Sequence, residues 1–203
     1  MKGRDLINLV GKSVHPNFNL ELEKLSEMYP KVYENFVLNF EQNNLKKGIA
    51  IIGEIGAGKS MCMRIMQKIL KDTSQKFVYK KAKDLIDMVD EVSITEIKEQ
   101  YGGGLLHNLY LDDIGVGQPI KNHYGNNVNI ISEIILDRYD LFVSKGIKTH
   151  FSSNKPTTLD KKKYPDIVTL EDILGDRVID RIFEMCNIIV WQGKSLRRAN
   201  YEK

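Results

Sequence analysis

Long apolar runs are missing from this chain, and so are the residues that staple small scaffolds. No stretch approaches the ~18 apolar residues of a membrane span, so membrane insertion is not expected. Only 2 cysteines are present, Cys62 and Cys186, and the 4 histidines (His15, His107, His123, His150) are scattered. The cysteines lack metal-ligand spacing, so no zinc site is expected. Both thiols are expected as small buried hydrophobes in a reducing cytoplasm. Charge of one sign is not in large excess either. A net charge of +3 permits a nucleic-acid partner without demanding one. The first residues, Met1 to Leu6, hold no apolar stretch before a small-residue cleavage site, so no secretory signal is expected. Repeats and low-complexity tracts are also absent. What remains is ordinary for one globular domain: 203 residues, 42% hydrophobic and 28% charged.

Against that plain background one segment stands out. Residues 53–60 read Gly53-Glu54-Ile55-Gly56-Ala57-Gly58-Lys59-Ser60, directly after the apolar run Ile49-Ala50-Ile51-Ile52. The pattern G-x-x-x-x-G-K-[ST] places glycine where a backbone must fold around phosphates and turn several N–H groups inward. Lys59 supplies a point charge for the β- and γ-phosphates, and the Ser60 hydroxyl can ligate Mg²⁺. A helix beginning at Lys59 and Met61 would add its electropositive N-terminus. Four fixed positions recur by accident on the order of once in a hundred chains of this size. Nucleoside triphosphate binding, with ATP and Mg²⁺ as the ligands, is the expectation.

The pattern from Lys46 onward alternates strand and helix. Strands are expected near 48–52, 76–80, 108–112, 147–152 and 187–191. Helices are expected at 59–71, 82–90, 127–145 and 168–185. That order implies an α/β, three-layer domain with a central parallel sheet and right-handed crossovers. Ligands then lie outside the carboxyl ends of the strands, where the glycine-rich loop falls. Upstream, residues 18–43 show helical spacing interrupted by Pro30, which suggests two short helices. Residues 1–17 show little periodicity and are expected as a loosely ordered arm. The division is thus 1–45, arm and short helices, and 46–203, core.

Asn108-Leu109-Tyr110-Leu111-Asp112-Asp113 is an apolar strand ending in two acids. An acid at a buried strand tip needs a cation or donors to compensate it. A metal shared with Ser60 fits Asp112, and Asp113 is placed to polarise an attacking water. A third segment, Gly146 to Phe151, ends in Ser152-Ser153-Asn154. If it lies beside the first strand, Asn154 reaches the γ-phosphate or the water, although Ser-Asn-Lys-Pro is equally a good turn. Arg177 and Arg181 stand four apart on one helical face. They suit phosphate or carboxylate recognition, but spacing alone favours a surface with local ion pairs to Asp176 or Asp180.

Taken together these segments resemble the AAA+ ATPases of the DnaC/DnaI helicase-loader group and the related IstB transposition helpers. The resemblance covers about residues 46–198. It rests on Lys47-Gly48-Ile49 leading to the loop, on Leu111-Asp112-Asp113-Ile114-Gly115, and on Ile135-Leu136-Asp137-Arg138-Tyr139. It rests further on Ser152-Ser153-Asn154, on Gly175-Asp176-Arg177-Val178-Ile179-Asp180-Arg181, and on Ser195-Leu196-Arg197. It implies a P-loop NTPase AAA+ core with a short helical N-terminal extension and no helical lid domain. It further implies Asn154 as sensor 1, Arg181 as an arginine finger acting on a neighbouring subunit, and Arg197 at the sensor 2-like position. Asp113 stands where many AAA+ proteins carry glutamate. ATP hydrolysis in a homo-oligomer with shared sites follows from the resemblance, as does assembly on single-stranded DNA in replication. A replicative helicase or a transposase is the implied protein partner.

Candidate contacts for DNA are Lys80, Lys81, Lys83 and Tyr101, within residues 80–104, with local acids (Asp84, Asp87, Asp90, Glu91) favouring a plain solvated edge. The connection 115–127, carrying Lys121, His123 and Tyr124, is long enough to suspect a role. Lys161-Lys162-Lys163 reads as a solvated charge run. Two rival readings follow from the same residues: an IstB-like ATPase that assists a transposase, and a small-molecule P-loop kinase.

Overall fold

The structure is a computed structural model that describes residues 3–16, 18–19, 27–34, 47–117, 120–123, 126–157, 166–191 and 195. Five strands form one sheet: β1 (Gly48–Gly53), β2 (Phe77–Lys81), β3 (Asn108–Asp112), β6 (Thr149–Ser153) and β7 (Cys186–Trp191). All pair in parallel, in the spatial order β2-β3-β6-β1-β7. Such a sheet must be covered on both faces, and the strand residues alternate accordingly. Ile49 and Ile51 of β1 and Tyr110 of β3 point into one cluster; Ala50, Leu109, Leu111 and Phe151 point into the other. The first cluster is closed by α1 (Gly3–Val14), by α2 (described over residues 27–34) and by α3 (Lys59–Leu70). The second is closed by α4 (Ala82–Met88), α5 (Ile94–Tyr101), α6 (Ile130–Lys145), α7 (Leu170–Leu174) and α8 (Asp176–Met185). This is the expected three-layer α/β architecture with a central parallel sheet.

Four local expectations need correction. Residues 3–14, expected to be loosely ordered, are helical and press Ile7 into the core. The apolar period there is hidden because Gly11 fills one of its contact positions: a Cβ on Gly11 would stand 2.2 Å from the Phe18 ring. Among the described residues α2 runs through Pro30 rather than stopping at it. The helix expected at 168–185 is two helices, divided at Gly175, whose φ of +89° turns the chain. Finally, the connection after β3 contains an antiparallel hairpin, β4 (Ile120–His123) and β5 (Asn126–Asn129), which leads into α6.

One buried cation ties the lower ends of the strands together. Arg138, on α6, is fully buried, and its guanidinium donates to Thr149 Oγ1 (2.9 Å) and to the carbonyls of Leu105 (2.5 Å), His107 (2.8 Å) and Lys148 (3.1 Å). Burial lowers its pKa to about 10. The planar fork of arginine presents its donors in one rigid plane, which suits acceptors spread over several segments.

Candidate functional site

The glycine-rich loop forms where β1 ends and α3 begins. Gly56 (φ +78°) and Gly58 (φ +102°) both adopt the left-handed region, which side-chain-bearing residues enter at a cost. Gly58 is the N-cap of α3, with no side-chain cap and no acid in the first turn, so the helix presents its backbone N–H groups and positive end unmasked. The back of the loop is held by two aromatic donors. Trp191 Nε1 donates to the Ala57 carbonyl at 2.9 Å, and the Tyr29 hydroxyl donates to the Gly58 carbonyl at 3.2 Å. Their rings meet edge to face, with centroids 5.6 Å apart. Ser195 packs against Gly56, where a Cβ would meet Ser195 Oγ at 2.3 Å. Glu54 and Ile55 are exposed at the loop's tip, and Met61 is half-buried at the start of α3.

Lys59 lies folded across this loop, only 5% exposed. Its ammonium donates to the carbonyls of Gly53 (2.7 Å) and Glu54 (2.8 Å) and to Asn154 Oδ1 (2.6 Å). Burial lowers its pKa, against the opposing pull of Asp113, Asp112 and Glu54. Asn154 reaches it because β6 lies beside β1 in the sheet. The other end of the same amide, Nδ2, donates to Asp113 Oδ1 at 2.6 Å. Asn154 therefore bridges the loop's cation to an acid on the next strand. Asp113 itself has a φ of +59°, and its N–H donates to Ser152 Oγ at 3.0 Å. That turn lifts the Asp113 carboxylate out of the strand line and towards Asn154.

Asp112 is 3% exposed and is solvated entirely by hydroxyls. Ser60 (2.9 Å), Tyr110 (2.6 Å) and Ser152 (2.6 Å) donate to Oδ1, and Tyr79 donates to Oδ2. Burial alone would raise its pKa. The hydrogen bonds from Ser152, Tyr110, Tyr79 and Ser60 outweigh burial and hold the carboxyl below its usual range. Asp112 is thus an anion at neutral pH, prepared in a dry setting. Of the expected site residues, Gly53 to Ser60, Asp112, Asp113 and Asn154 converge at the carboxyl ends of β1, β3 and β6. Tyr29, Tyr79, Tyr110, Ser152 and Trp191 join them without having been foreseen. The available signal was strand periodicity, which puts Tyr110 on the same face as Asp112 and Ser152 on the same face as Asn154.

Other expected residues are elsewhere. Arg181 packs over the Tyr139 ring (4.3 Å to the centroid) and pairs with Glu184 at 3.3 Å, on the outer side of α8, while Arg177 is exposed. Lys80 lies over the Tyr101 ring at 5.0 Å, and Lys83 pairs with Asp87 at 2.6 Å. Arg197, Tyr124 and Lys161 to Lys163 lie outside the described residues, as do the side chains of Lys121 and His123. Among the described residues no helix is long and apolar enough to cross a membrane.

No family model and no curated protein sequence matches this chain. Solved structures do. The DnaC helicase loader superposes with a TM-score of 0.59 at 20% identity, covering 88% of this chain and 96% of that one. DnaI superposes with a TM-score of 0.61 at 16% identity, covering 95% and 92%. The replication initiator DnaA, solved with AMPPCP and single-stranded DNA, gives a TM-score of 0.52 at 16% identity; the match spans 89% of this chain and 51% of DnaA. At these identities the likeness is one of fold alone.

Proposed function

We propose that this chain is an ATP-binding and ATP-hydrolysing AAA+ protein that resembles the DnaC/DnaI helicase loaders, assembles on single-stranded DNA and acts in DNA replication. The observation that carries the reading is the continuous array Ser60–Asp112 and Lys59–Asn154–Asp113 at the carboxyl ends of three adjacent parallel strands. The fold likeness to DnaC, DnaI and DnaA supports the replication setting.

In this reading the loop Gly53–Ser60 takes the triphosphate on its backbone N–H groups and on Lys59. Lys59 is held by three neutral acceptors, so its charge is available to a phosphate without an ion pair to break. Ser60 and Asp112 offer hard oxygen donors, the set that suits Mg²⁺. When bound, that ion supplies charge neutralisation of the β- and γ-phosphates. Asp113 accepts the proton of the attacking water, and Asn154 orients both that acid and the γ-phosphate end of Lys59. Arg181 acts from a neighbouring subunit on the charge that develops in transfer. Arg197 stands at the sensor 2-like position. In this reading residues 1–45 are the extension and 46–203 the ATPase core, with α1 and α2 packed beside α3 on the core's first cluster.

The test is steady-state ATP hydrolysis across protein concentrations, with and without single-stranded DNA, using Lys59→Ala as control. Stimulation by DNA and a steeper-than-linear dependence on protein support a shared-site assembly. Mixing Arg181→Ala with Asp113→Asn protein should then restore some activity. A rate linear in protein and indifferent to DNA would overturn the assembly mechanism.

A further inference from the structure

The chemistry of the phosphate loop accounts for only one of the four hydroxyls on Asp112, that of Ser60. A carboxylate offers about four acceptor positions, and here three donors crowd Oδ1 while the Tyr79 phenol takes Oδ2. The two phenols come from neighbouring strands in register, Tyr79 opposite Tyr110. Their rings pack edge to face with centroids 5.3 Å apart, Phe77 backs Tyr110 at 6.0 Å, and the Arg64 guanidinium lies over the Tyr79 ring at 4.9 Å. A serine hydroxyl can rotate about one bond to another acceptor. A phenol whose ring is wedged in this way delivers its O–H from a fixed point.

We propose that Tyr79 and Tyr110 are positioning residues for the metal, clamping Asp112 so that the Ser60 hydroxyl donates to it and keeps its lone pairs for the cation. This rests on the nucleotide-binding reading above. Held from both oxygens, Asp112 keeps one position, from which it orients Ser60 and would face the ion. The clamp depends on a tyrosine at each of two paired positions of β2 and β3. Tyr110 is fully buried, whereas Tyr79 sits half-buried on the sheet edge beside the exposed Arg64, so its hydroxyl is the accessible half of the clamp.

The experiment titrates MgCl₂ into the full chain with a fluorescent ATP analogue, for the native protein, Tyr79→Phe and Tyr110→Phe. Binding in EDTA and circular dichroism are measured alongside. Removing an outer partner of a metal-site carboxylate typically lowers metal affinity by about 10-fold or more. The expected result is therefore a roughly tenfold rise in half-saturating Mg²⁺ for each variant, with analogue binding in EDTA unchanged. Unchanged or lower half-saturating Mg²⁺ in a folded variant overturns the clamp and leaves nucleotide binding intact. Should Tyr110→Phe not fold, the half-buried Tyr79→Phe decides alone. Failure of the native protein to bind the analogue with or without Mg²⁺ overturns the nucleotide reading, and the clamp with it.

Discussion

Acidification should destabilise this protein through a single histidine, and His150→Asn should remove that sensitivity. His150 is fully buried on β6, and its Nδ1 accepts the Ile49 N–H of β1 at 3.1 Å, so the folded state requires a neutral ring at that nitrogen. Burial, then the cations Lys148 and Arg138, depress its pKa from 6.5 to about 3. Between those values the unfolded chain binds a proton that the folded chain refuses. The contribution is therefore fully present above pH 6.5 and is lost as the pH falls. Each unit of displacement corresponds to about 1.4 kcal/mol, so moving to about pH 5 should remove about 2 kcal/mol through this group alone. Asparagine offers a non-titrating acceptor near the position of Nδ1. Urea unfolding at about pH 7.5 and about pH 5 gives the loss for each protein, and their difference isolates His150 from other titrating groups. Equal losses in the native chain and in His150→Asn would refute the reasoning.

Three further outcomes follow from other contacts. Asn154→Ala breaks the bridge between Lys59 and Asp113, and ATP hydrolysis should fall by about a hundredfold, as when one preorganised donor is removed; an unchanged kcat would exclude Asn154 from the reaction. Gly56→Ala asks alanine to hold a φ of +78° with Ser195 Oγ 2.3 Å from the new carbon. A left-handed residue costs about 1–2 kcal/mol, so analogue binding should weaken about tenfold or more, and native-like affinity would show that the loop relaxes freely. Arg138→Leu strands the carbonyls of Leu105, His107 and Lys148 in the interior. Its unfolding free energy in urea should drop by about 3 kcal/mol or more, and a drop within error of zero would mean that water replaces the guanidinium.

The sheet was legible because its strands are short segments with buried apolar positions between flanking turns; β1 and β3 are almost wholly buried, whereas the edge strands β2 and β7 expose Val78 and Val190. Expected and observed strands agree to within two residues, as at 76–80 against Phe77–Lys81. The helices that were missed lack that redundancy. α5 is brief, with one fully buried residue, Ile97, although Ser93 accepting from the Glu96 N–H marks its start with a readable cap. In α1 the contact position is a glycine, which carries no hydrophobic signal even though the close approach of Phe18 depends on it. The β4–β5 hairpin is polar (Asn122, Asn126, Asn127, Asn129), and its hydrogen bonds give no apolar alternation to read.

The site divides along the same physical line, between information local in sequence and information held by strand order. The loop, the two acids and Asn154 are each marked by a segment of their own. Whether Asn154 meets Lys59 depends on β6 lying against β1, and whether Asp112 is caged depends on β2 and β6 both lying against β3. No residue pattern within β2 announces that Tyr79 will face Asp112, because 33 positions separate them and only the parallel pairing brings them together. The same argument separates the tyrosines from the loop in what each can tolerate. A change in the loop alters a conformation written into its own glycines. A change at Tyr79 or Tyr110 alters an electrostatic environment that exists only in the assembled sheet, so its effect should appear in metal dependence before it appears in the fold.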